Sequence, residues 1–152
     1  MKITEHLTYA EATQTASGLK NEPNEAQLAN IKLLAEKVFE PLRKLVGAPI
    51  KVNSVFRSQA VNKAVGGSST SQHCANNGAA MDIDATNISN AKLGHLIREN
   101  LDFDQLIYEA PKNGEPSWIH VSYKKSGNRN QSLIMIGGRY LTYKGNERMI
   151  NQ

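Results

Sequence analysis

Cysteine is nearly missing from this chain, Cys74 being the only one. That excludes an internal disulfide and a four-cysteine zinc knuckle, so any metal must be held by nitrogen and oxygen donors, with Cys74 as an outside candidate. Long apolar runs are missing too: no stretch approaches the length that spans a bilayer, and the opening "MKITEHLTYAEAT" lacks the apolar core of a signal peptide. The expectation is a protein with no integral membrane segment, cytoplasmic as synthesised. Internal repeats, low-complexity tracts and linkers are absent as well. The 152 residues, 39% apolar and 21% charged, are therefore expected to fold as a single domain, 1–152, around one core.

What is present includes an excess of positive charge, +4 with a pI near 9.2, which favours an anionic partner: nucleic acid, a membrane surface or the bacterial cell wall. No recognition-helix motif and no interleaved aromatics accompany it, so nucleic acid is not the expected partner. From Val121 onward Lys124, Lys125, Arg129, Arg139, Lys144 and Arg148 face Glu147 alone. Such a run reads first as a solvated hairpin surface and second as one that faces the cell wall.

Thr8 and Glu11 in "TYAE" make a capping-box pattern that predicts a short helix ending near Gly18. From Asn24 a long amphipathic helix is expected, with Leu28, Ile31, Leu34, Val38, Leu42 and Leu45 at three- and four-residue steps and Gly47 and Pro49 ending it. "PIKVNSVF" reads as a strand, "SQAVNKAVGG" as a short helix stopped by Gly66 and Gly67, and "AAMDID" as a strand after a Ser- and Asn-rich loop. Ser89 caps a helix to about Asn100, and "DQLIYE", "SWIHVSY", "SLIMI" and "RYLTY" follow as strands separated by Gly- and Asn-containing turns. Helices come first and strands later, an α+β order.

The segment "SQHCANNGAAMDID", residues 71–84, sets His73 beside Asp82 and Asp84, and His120 follows in "WIHVSY". A catalytic zinc takes three nitrogen or oxygen ligands and leaves a fourth position open. His73, Asp82 and His120 supply such a set, although a histidine and an aspartate nine apart are by themselves a weak signal. Strand alternation puts Asp82 and Asp84 on one face and Met81 and Ile83 on the other.

Ser71, His73, Gly78, Ala80 and Asp82 fill the S-x-H-(loop)-G-x-A-x-D signature of the zinc D-Ala-D-Ala carboxypeptidase and L-Ala-D-Glu endopeptidase family, which shares its fold with hedgehog amino-terminal domains. "VNSVFRSQAVNKAVGGSSTSQH" resembles the family's approach to the first ligand, and "DQLIYE" with "SWIHVSY" resembles its later half. The opening "ITEHLTYAEA" and "PLRKLVGAPIKV" are similar to phage and prophage members, so the resemblance runs from about residue 3 to 123. One departure is the loop "CANN", four residues between His73 and Gly78 where two are usual. A surface loop can absorb such an insertion without moving the strand that carries Asp82.

The resemblance implies Zn2+ held by His73, Asp82 and His120, and G-x-A-x-D selects Asp82 over Asp84. It implies a glutamate as general base, for which Glu109 at the end of "DQLIYE" and Glu115 in the turn "APKNGEP" compete. Glu109 is preferred, because the whole strand aligns and the turn leaves Glu115 solvated. Arg57 matches the family arginine, expected to bind substrate and to offset charge developing on the carbonyl oxygen. Ser71 and Gln72 are expected to orient His73 or bind substrate. Trp118 is expected to pack beside the site, Cys74 to be structural, and His6 and His95 to lie outside it.

The expected fold is α+β, a long N-terminal helix on a mainly antiparallel sheet with zinc in a groove on one sheet face. The expected function is zinc-dependent hydrolysis of an amide bond in peptidoglycan stem peptides, either L-Ala-D-Glu or a terminal D-Ala, by a monomeric phage endolysin or wall-remodelling enzyme. Peptidoglycan is then the partner. The alternative is a non-catalytic zinc-binding descendant of the fold that serves as a phage structural or wall-binding protein.

Overall fold

A computed structural model describes residues 1–144. Arg148 and Glu147 of the basic C-terminal run lie outside the described residues. A small antiparallel hairpin, β1 (Lys2–Thr4) and β2 (Leu7–Thr8), opens the chain and is not signalled by the sequence pattern. The capping box then forms as expected: Thr8 accepts from the Glu11 N–H and the Glu11 carboxylate accepts from the Thr8 N–H, starting α1 (Tyr9–Thr13). This helix stops at Thr13, well short of Gly18.

The single long helix expected from Asn24 does not form as one element. Asn24 and Gln27 make a second capping box for α2 (Glu25–Leu34), but Ala35–Phe39 is a π-helical turn, and α3 (Glu40–Val46) follows it. Pro41 explains the interruption: it has no N–H for the carbonyl four residues back, and its ring crowds that carbonyl. The wider turn places the Glu40 N–H on Ala35 O and relieves the crowding. Glu40 then clasps the opening hairpin, accepting from Thr4 Oγ1 at 2.7 Å and from the His6 N–H at 2.9 Å.

After β3 (Lys51–Ser54) and α4 (Gln59–Ala64) come a 3-10 turn (Gln72–Cys74), β4 (Ala79–Asp84), α5 (Asn90–Asn100), β5 (Gln105–Glu109), β6 (Trp118–Tyr123), β7 (Gln131–Ile136) and β8 (Arg139–Thr142). The six-stranded sheet has the order β3-β4-β6-β5-β7-β8. It is mixed: four of its five pairings are antiparallel, and β7 runs parallel to β5. To reach that position the chain leaving β6 crosses the start of β5 between Lys124 and Asn130. Asn130 N–H donates to Phe103 O and Gln131 N–H to Asp104 O, which fixes the crossing.

Asp104 anchors this crossover. Its side chain is fully buried, and it accepts from Arg129 Nε (2.9 Å), Arg129 Nη2 (2.8 Å), the Arg129 N–H (3.0 Å) and Gln72 Nε2 (3.0 Å), with Lys124 Nζ at 3.7 Å. Burial alone would raise its pKa, but the hydrogen bonds from Arg129 and Gln72 outweigh it and hold the carboxyl down at about 2. Part of the basic C-terminal run thus has a structural partner instead of only a solvated face.

The two sheet faces differ. Met81, Ile83, Leu106, Tyr108, Ile119 and Val121 are fully buried, in one cluster with Ile31, Leu34 and Val38 from the α2 and π segments and Leu93 and Ile97 from α5. The opposite face carries Asp82, His120, Ile107 and Glu109, which line a cleft, and the Gln72–Cys74 turn reaches it at Asp82.

Arg129→Met should lower unfolding free energy at pH 7 by about 2 kcal/mol, less than the roughly 3–5 typical of a fully buried pair because the guanidinium side is half exposed. The folded pKa of Asp104 is depressed, so its contribution is present above the unfolded value of 3.8 and is lost as pH falls through about 2. Urea unfolding should show the difference between the two proteins narrowing between pH 4 and pH 2. A difference that stays constant over that range would contradict the role given to Asp104.

Candidate active site

Cross-strand register builds the site. Asp82 on β4 lies opposite His120 on β6, and His120 lies opposite Ile107 on β5. His73 comes from the 3-10 turn, where Ser71 Oγ accepts from the His73 N–H at 3.2 Å. Its ring is 2% exposed as a residue, and His73 Nδ1 donates to Val55 O at 2.7 Å. A carbonyl can only accept, so the proton sits on Nδ1 and Nε2 keeps its lone pair.

That nitrogen lies 3.3 Å from Asp82 Oδ2, while His120 Nδ1 lies 3.0 Å from Asp82 Oδ1. One ligand atom from each of the three residues falls within 4.8 Å of the others. His73 Nε2 is buried and makes no hydrogen bond among the described residues. A buried polar atom without a partner is costly in a finished structure, and two imidazoles with a carboxylate are a donor set that suits zinc. Burial by itself favours neutral Asp82, but the hydrogen bond from the His120 imidazole outweighs it and holds the carboxyl well below the usual carboxylate range.

Arg57 approaches from beyond β3, with Nη2 3.8 Å from Asp82 Oδ2 and its N–H donating to His73 O. Asn62 Oδ1 accepts from Arg57 Nη1 at 3.4 Å. Gly67 is needed beside them, because a Cβ there would stand 2.1 Å from Asn62 Oδ1. Gly78 of the signature is constrained likewise: its φ is +76° and a Cβ would meet Tyr123 O at 2.3 Å. The loop between His73 and Gly78 folds onto α2, with Gln27 Nε2 donating to Cys74 O and Asn76 Oδ1 and Asn30 Nδ2 donating to Ala75 O. The loop is tied down there, and β4 pairs in the register that sets Asp82 against His120.

The two glutamates have different surroundings. Glu109 is buried, lies opposite Trp118 two residues before His120, and opens into the cleft. Burial raises its pKa, His120 pulls it down and Asp82 pushes it up, with a net upward shift. Glu115 instead accepts the Ala91 N–H at the start of α5 and does not line the cleft. Gln72 lines the cleft, but its amide also donates to Asn77 O and to Asp104, so it braces the His73 turn. Asp84, on the same strand face as Asp82, is tied to Asn53 and Asn90.

Arg57, Gln72, His73, Asp82, Glu109 and His120 line a cleft of about 820 Å³ that also takes in Trp118, Arg129, Leu133, Met135 and Tyr140. Sequence reasoning missed Asp104, whose signal, one acid before an apolar strand, is shared by many surface positions. It also missed the lining from β7 and β8.

The family model for peptidase M15 matches residues 5–122. No curated protein matches the chain.

Zinc binding measured by equilibrium dialysis should fall by more than about 100-fold in His73→Ala, beyond the roughly 10–100-fold that losing an outer partner costs. Glu109→Gln should keep the metal. Unchanged zinc content in His73→Ala would exclude the three-residue site.

Proposed function

The chain belongs to the peptidase M15 family, and on that premise we propose that its cleft hydrolyses an amide bond of peptidoglycan stem peptides with zinc held by His73, Asp82 and His120. The observation that carries this reading is the buried, unpartnered His73 Nε2 facing Asp82 beside His120. When bound, the ion supplies positive charge that polarises an amide carbonyl and makes water more acidic.

The chain's own groups then have distinct tasks. Glu109 takes the proton of the attacking water and passes it to the leaving amine nitrogen; burial raises its pKa and makes it a stronger base than an ordinary carboxylate. Arg57, held by Asn62, offsets negative charge as it develops on the carbonyl oxygen. The Val55 carbonyl keeps the His73 ring in one tautomer. Asp104 and Gln72 hold the turn that presents it. The candidate bonds are L-Ala-D-Glu and a terminal D-Ala, and the N-terminal resemblance favours a phage endolysin or wall-remodelling setting.

Mass spectrometry of fragments released from purified peptidoglycan tests the proposal, and the new fragment ends name the bond. Chelator should abolish release, and Glu109→Gln should slow it by about 10²–10⁴-fold, the usual weight of a general base. Glu115→Gln should release fragments at the wild-type rate. No release from several wall types by zinc-loaded protein would favour the non-catalytic descendant instead.

A further inference from the structure

The family match ends at residue 122, yet the cleft does not. Its far wall is built by β7 and β8, which follow that segment. The register places their side chains in line with the site: Ile107 lies opposite Leu133, Glu109 opposite Met135, and Met135 opposite Tyr140. Two rows therefore cross the same sheet face, one from Asp82 through His120 and Ile107 to Leu133, the other from Trp118 through Glu109 and Met135 to Tyr140. Three strand spacings separate β6 from β8, about 14 Å at the usual spacing.

The chemistry changes along these rows. Near the metal candidates the face is ionic, whereas Leu133, Met135 and the Tyr140 ring form an uncharged shelf. Tyr140 is 58% exposed on the edge strand, and its hydroxyl bonds to no described residue. Burial and the carboxylates of Glu109 and Asp82 raise its pKa, so the phenol keeps its proton and can donate. A charged substrate group placed on this shelf would lose water and gain no oppositely charged side chain from Leu133, Met135 or Tyr140.

We propose that the β7–β8 hairpin is the specificity wall of the cleft, in which Leu133, Met135 and Tyr140 receive an uncharged aliphatic side chain next to the cleaved amide and the Tyr140 hydroxyl donates a hydrogen bond to the substrate backbone. The inference rests on the reading of the cleft as a peptide-hydrolysing site. It assigns Tyr140 a positioning role rather than a part in proton transfer, and the occupant it selects is an uncharged aliphatic side chain.

The test uses the zinc-loaded full chain, a synthetic stem pentapeptide and a copy with aspartate in place of the alanine at the cleaved bond. Turnover is one readout. The other is peptide binding followed by the fluorescence of Trp118, the only tryptophan and a lining residue of the cleft. Tyr140→Phe should raise KM by about 2–10-fold, the worth of one hydrogen bond, with kcat within about twofold. Tyr140→Ala should raise KM further, and Met135→Lys should recover binding of the aspartate peptide. Wild-type discrimination between the peptides in both Tyr140→Ala and Met135→Lys would overturn the proposal. If the wild type cleaves neither peptide, hydrolysis fails as a reading, and binding decides the shelf: discrimination that depends on Tyr140 and Met135 supports it, and no binding of either peptide overturns it.

Discussion

The buried carboxylate of Asp104 is the constraint on which the other parts depend. It receives Gln72 from the turn that presents His73 and Arg129 from the segment that crosses β5. One side of the cleft and the connection to the other side are thus fixed to the same two oxygens. Without that anchor the crossing segment would have to hold a parallel strand beside β5 by backbone bonds alone, and parallel pairs offer somewhat less stability per residue.

The division of the sheet into two faces follows from simple alternation. Met81 and Ile83 sit under the helices while Asp82 between them faces the cleft, and β6 does the same with Ile119 and Val121 around His120. This is why the grouping of His73, Asp82 and His120 could be read from a signature and two strand patterns. The start of α5 at Ser89, the capping box at Thr8 and the helix start at Asn24 were equally legible, because each rests on contacts within a few residues.

The features that escaped sequence reading depend on distant partners. Nothing local marks Asp104 as buried, since its meaning comes from Arg129, twenty-five positions later. The parallel placement of β7 cannot be told from an antiparallel one by its residues, and the apolar period from Leu28 to Leu45 runs unbroken across the π-helical turn. The choice between Glu109 and Glu115 was framed by the turn around Glu115, whereas the surroundings that distinguish them include α5: Glu115 is engaged by Ala91, and Glu109 is left facing the cleft.

The π-helical turn at Ala35–Phe39 fixes how many residues may separate α2 from α3. Each residue of a helix advances it by about 100°, so one residue fewer in this turn would swing Glu40 a quarter of the way round and off Thr4 and His6. The segment can change its letters more freely than its length, and the N-terminal hairpin is seated by counting.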